Sequence, residues 1–217
     1  MADVRRASST SPGRRSRNLR GEGGRLRTEI ISAAVGEIAR LGSVEALSLR
    51  GIARAAGIDP MSIYRHFANK EELVWAVLDV EFAELARALD DAEQQFEDPV
   101  DRLRSRCLAY LRFGLERHSE FLVLFGTEGR PIPASGAPEQ LPGWPLFAAF
   151  VASIERCLGT SRAVSSAADA QLRATLLWVA LHGATVLRLS KKGFPWPPLE
   201  QLVDDLLQRL VLDRDTR

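Results

Sequence analysis

The chain has 217 residues, 46% of them hydrophobic and 26% charged, with a net charge of +1; this suits one or two soluble globular domains with a real core. Its longest apolar run, around Leu176–Leu181, stops at His182, short of the about 20 residues a bilayer span needs, and its polar, arginine-rich start lacks the apolar segment of a secretory signal, so no membrane partner is expected. The two cysteines, Cys107 and Cys157, offer neither a disulfide framework nor metal spacing, which predicts a reducing cytoplasm and no metal site.

Residues 1–70 carry a net +7 and the remainder −6. A basic end on a mildly acidic body fits contact with a polyanion at that end only, and equally a merely solvated tail. Residues 1–24 are rich in Ser, Gly and Arg and predict a disordered basic arm, in which Arg5, Arg6, Arg14, Arg15, Arg17 and Arg20 oppose only Asp3 and Glu22. Leu26, Ile30, Ala34, Ile38 and Leu41 then share one helical face, ended by Gly42. Ser48 caps a second helix that runs to Ala56 and is closed by Gly57. Asp59 caps a third, with Pro60 at its first position. Asn69 and Glu72 form a capping box for a fourth, from Lys70 to about Gln95.

Asp98-Pro99 starts a fifth helix, to about His118, and a short sixth covers Glu120–Phe125. Residues 127–143, with four prolines and three glycines, form the longest non-helical stretch of the body. Helices follow at about Trp144–Leu158, Ser166–Ser190 and Pro198–Leu212, the last two separated by an elbow at Gly193–Pro198. No strand-like alternation occurs, so the fold class is all-α.

The segment Ser48–Phe67 reads as two short helices joined by a turn at Gly57-Ile58-Asp59, with Ala53, Gly57, Ile63 and Phe67 suited to the tight contact between them. Outward on the second of these helices lie Pro60, Met61, Ser62, Tyr64, Arg65 and His66. Hydroxyls, an imidazole and a helix N-terminus are phosphate and base-edge partners, and one helix fits the major groove. Gly57 through Leu73 resembles the recognition helix and fourth-helix entry of TetR-family regulators, and Ala46-Leu47-Ser48-Leu49-Arg50-Gly51-Ile52-Ala53 resembles that family's second helix.

The resemblance implies a helix-turn-helix DNA-binding domain at 25–85, after the arm at 1–24, and a helical effector-binding and dimerisation domain at 86–217. It also implies a homodimer on double-stranded DNA with a palindromic operator, acting as a repressor that a small apolar effector releases. Ser48, Ser62, Tyr64, His66 and Lys70 match phosphate-holding positions, and Arg50, Pro60, Met61 and Ser62 match base-reaching ones. Arginines of the arm would then add to DNA affinity.

Trp178 with His182-Gly183 resembles the Trp…His-Gly pattern of one TetR-type C-terminal domain. It reads as a pocket wall or dimer seam, or as a core histidine packed beside a tryptophan. Tyr110, Phe113, Phe121, Phe125, Trp144 and Phe147 are candidate pocket linings, with Arg104, Arg112 and His118 as candidate polar anchors; such rings also make ordinary cores. Leu172, Leu176, Val179, Gly183 and Leu187 form one stripe, and Leu199, Leu202, Val203, Leu206 and Leu210 another, which two copies would pair as a four-helix seam. No phosphate loop, catalytic grouping or cofactor motif appears. An enzyme is thus the weaker expectation, and an effector-free DNA-binding protein the other alternative.

Overall fold

The protein is described by a computed structural model covering residues 23–126, 139, 141–159 and 166–212. The arginines of the basic arm and most of the stretch 127–143 lie outside these residues. Those described form α-helices and no strand, as the periodicities predict.

Helices α1 (Gly23–Leu41), α2 (Leu49–Ala56) and α3 (Pro60–Tyr64) enclose a small core of Ile30, Ala34, Ile38, Ile52, Ala53, Ile63 and Phe67, all essentially without solvent contact. Burying each of the larger side chains contributes about 1.5–3 kcal/mol. Local chemistry sets the boundaries. Ser48 Oγ accepts the Gly51 N–H at 3.1 Å, and Asp59 Oδ1 accepts that of Met61 at 2.8 Å. At the end of α2, Gly57 takes φ 66°, and the N–H groups of Gly57 and Ile58 return to the carbonyls of Arg54 and Ala53, a Schellman motif. Gly57 is therefore not part of the tight inner contact: it is exposed, with open space where a Cβ would lie, and serves the turn through its left-handed conformation.

Helix α4 (Lys70–Glu93) starts at Asn69, whose Oδ1 accepts the Glu72 N–H at 2.8 Å while Glu72 accepts that of Ala68 at 2.6 Å. It runs out of the head without a break and packs along α5 (Pro99–Glu116), capped by Asp98. Then come α6 (His118–Phe125), α7 (Trp144–Leu158), α8 (Ala167–Ser190) and α9 (Leu199–Leu207). The final turn departs from the regular helix predicted to Leu212. Gln208–Leu212 widens into a π-turn, and Arg173 of α8 donates to its Leu210 carbonyl at 2.9 Å. Helix α6 packs against α1, α4 and α5, so it joins head and body. By length and composition α8 is apolar enough to cross a membrane, which the run ending at His182 did not suggest. Its Ala170, Ala174, Leu177 and Leu181 are core.

Helices α5 and α8 meet at Gly114. A Cβ there would stand 2.4 Å from Thr185 Cγ2 and 2.9 Å from a Phe121 ring carbon, closer than any real contact. Gly114→Ala is expected to force the two helices apart and to cost about 1–3 kcal/mol, read as a lower urea midpoint. An unchanged midpoint would mean that the crossing relaxes freely.

Candidate functional site

The α2–α3 pair has one face sealed and one bare. Ile63 is fully buried, whereas Met61 is 69% exposed and Tyr64 50%. Pro60, Arg65 and Arg50 are exposed too, and Ser62 and His66 are half-buried. A methionine and a tyrosine left unpacked on a five-residue helix form a surface that another molecule can cover. Some of the polar groups around them are already engaged. Ser48 Oγ caps α2 but keeps its own proton to donate. Arg65 Nη2 donates to Ser62 Oγ at 2.8 Å, aligning both along the helix. Lys70 Nζ donates to the Glu45 carbonyl at 2.7 Å, tying the start of α4 to the loop before α2 while two N–H groups stay available.

In the body, rings of three helices converge on Tyr110 of α5. Its ring is fully buried and meets Phe121, Phe125 and Phe150 at centroid distances of 6.2, 6.2 and 6.3 Å. Its hydroxyl lies between two side chains of α8: Trp178 Nε1–H donates to it at 3.2 Å, and His182 Nδ1 stands 3.1 Å away. Burial pushes the phenol well above its ordinary range, against the Trp178 bond, and holds the His182 imidazole below its usual value. Both groups are therefore neutral at pH 7. His182 stacks on Phe121 at 5.2 Å and meets Phe125 edge-on at 4.9 Å. From it a line of half-buried rings runs through Trp178 and Phe147 to Trp144, with successive centroids 6.2, 6.1 and 5.7 Å apart. Phe121 and Phe125 belong to α6, the helix that also touches α1.

Of the candidate linings, Tyr110, Phe121, Trp144, Phe147, Trp178 and His182 thus come together, along with Phe125. Phe113 stands apart, its ring beneath the Arg117 guanidinium at 5.1 Å. The candidate anchors are also elsewhere. Arg104 and Arg112 pair with Asp204 and Glu200 of α9, and His118 is exposed at the start of α6. Phe150 was not anticipated, because a ring at helical spacing does not announce which neighbour it meets. Nor was the buried ionic link between α4 and α5, where Arg106 Nε donates to Glu93 Oε2 at 2.8 Å and Arg102 Nη2 to Oε1 at 2.8 Å. Both cysteines are free thiols, and burial raises that of Cys157 to about 11, leaving it unreactive.

One stripe on α8 has no cover among the described residues. Leu172, Leu176, Val179, Val186 and Leu187 are exposed, and nothing stands within 4 Å of a Cβ built on Gly183. On α9 and the π-turn after it, by contrast, Val203 is buried in the chain's own core and Leu199, Leu202, Leu206 and Leu210 only partly so.

Residues 30–77 match the family model for bacterial regulatory proteins of the tetR family, and residues 103–213 that for the tetracyclin repressor-like C-terminal domain. Similar folds include a protein of unknown function from Rhodococcus sp. RHA1, 23% identical over 86% of this chain and 94% of that one, with a TM-score of 0.69. A TetR family transcription regulator from Marinobacter aquaeolei VT8 is 22% identical over 88% and 97%, with a TM-score of 0.68. The regulator FadR from Bacillus subtilis, solved in complex with stearoyl-CoA, is 16% identical over 85% and 97%, with a TM-score of 0.64. With the C-terminal match spanning half of the chain and the N-terminal one covering the bare α2–α3 pair, the protein belongs to the TetR family of transcriptional regulators, with a DNA-binding N-terminal domain and a ligand-binding C-terminal one.

Proposed function

We propose that the protein is a cytoplasmic, ligand-responsive repressor that binds a palindromic operator as a homodimer and leaves it when a small apolar molecule enters the ring cluster of the body. The observation that carries the DNA half is the bare outer face of α3 over a sealed inner one. Met61 and Pro60 would meet thymine methyls, Arg50 a base edge, and Ser48, Ser62, Tyr64, Arg65, His66 and Lys70 would lie along the phosphates. The head is assigned to residues 25–85 and the body to 86–217, a division that falls inside α4, so movement of the body is transmitted without a linker.

Selection of bound fragments from random DNA supplies the test site. Arg50→Ala and Tyr64→Ala are expected to weaken binding to it by about 1–3 kcal/mol each, roughly 5- to 150-fold, with unchanged unfolding midpoints. Arg50→Ala should fall more on the selected site than on random DNA. Lys70→Ala should act on both alike and reduce the salt slope by about one contact. Unimpaired binding by Arg50→Ala and Tyr64→Ala together would remove α3 and its neighbour as the reading surface.

A further inference from the structure

Three facts fix the protonation of the Trp178–Tyr110–His182 chain. The Tyr110 oxygen accepts the Trp178 N–H, the phenol is buried and stays protonated, and His182 Nδ1 is its one remaining polar neighbour among the described residues. The phenol O–H therefore donates to Nδ1, and a neutral imidazole that accepts there carries its proton on Nε2. That N–H has no hydrogen-bond partner among the described residues, and His182 is only half-buried, at one end of the half-exposed line of rings. The surroundings are electrically quiet. No described charged side chain acts on Tyr110 or His182, and Arg106, behind Phe150, is already paired with Glu93 and Asp90.

We propose that His182 is the recognition donor of the effector site, presenting Nε2–H to the carbonyl oxygen of an uncharged aromatic ligand whose ring system lies along Trp178 and Phe147. The proposal rests on the body being an effector site and names the ligand class. A single fixed donor among ring faces selects one acceptor and a flat apolar body. A carboxylate finds no cation there to offset its desolvation, and an ammonium finds no anion. A pure hydrocarbon leaves the N–H dry and unpaired.

Two measurements decide it. In protein labelled with ¹⁵N-histidine at pH 7, long-range ¹H–¹⁵N spectra should show His182 as the neutral Nε2–H tautomer; an imidazolium or the Nδ1–H tautomer would overturn the assignment. Titrations followed by the His182 and Trp178 side-chain shifts then compare 2-acetonaphthone, its oxygen-free isostere 2-isopropenylnaphthalene, and 2-naphthoate. The ketone should bind about tenfold more tightly than either of the others, and His182→Phe should invert the order of ketone and alkene. Equal binding of ketone and alkene, or a preference for naphthoate, sinks the ligand class while leaving the effector site standing. Failure of all three to bind removes the effector site itself, and this proposal with it.

Discussion

Val179→Glu is expected to break the proposed homodimer into monomers. Val179 is 60% exposed at the middle of the α8 stripe, one turn from Gly183, whose open Cα side lets a second backbone approach. Two-fold pairing of this face would bring the two copies of residue 179 into one apolar seam. A carboxylate there loses water without gaining a partner, at several kcal/mol per copy, so the dimer constant should weaken by at least about a thousandfold. Operator affinity should collapse with it, because a monomer holds a single half-site. Val80→Glu, on the exposed face of α4, is the control and should leave the mass unchanged. Sedimentation at micromolar concentration checks both variants, and a Val179→Glu dimer would move the seam away from α8.

Glu93→Ala should be the most destabilising of the substitutions considered, by about 3–5 kcal/mol. Glu93 and Arg106 are both almost fully buried, and Arg106 also pairs with Asp90. Arg106 Nη1 has no hydrogen-bond partner among the described residues, its guanidinium lying against the Phe150 ring at 5.7 Å. Removing the carboxylate leaves that buried cation with the half-exposed Asp90 as its one remaining described partner. Burial alone would raise the Glu93 pKa, but the bonds from Arg106 and then Arg102 outweigh it and hold the carboxyl below its ordinary value. Its stabilisation is therefore complete above the unfolded-state value of 4.5 and disappears as pH falls through the lower folded-state value. Urea unfolding at pH 7 and under acid conditions should accordingly show a large gap between wild type and Glu93→Ala that narrows on acidification. A gap below about 0.5 kcal/mol at pH 7 would mean that the link contributes nothing.

How much of this was legible in the sequence follows from the range of the forces involved. Ser48, Asp59, Asn69 and Asp98 cap their helices as expected, because a cap is satisfied within three residues of itself. The α3 face was legible for the same reason, being set by one turn and one helical period. The body was legible only as faces. Arg104 and Arg112 looked available as anchors because their partners, Asp204 and Glu200, lie 100 and 88 residues away. Glu93 and Arg106 flank the Asp98-Pro99 turn, so an antiparallel pairing of α4 with α5 was the signal that could have joined them. The widened last turn is met by Arg173, 37 residues upstream of the carbonyl it reaches, a contact that no local propensity records.

Helix α6 has eight residues, two of them rings against His182, and it rests on α1 of the head. If displacing it is how ligand loosens DNA, linkage demands that DNA loosen ligand by the same factor. The operator is then a competitor for the sensor's own sensitivity. A substitution in the head that tightens DNA binding would raise the concentration of ligand needed for release, with no change at any ring that touches it. Dose–response curves would shift with the promoter to which the protein is attached, so its threshold belongs to the pair of protein and operator and to neither alone.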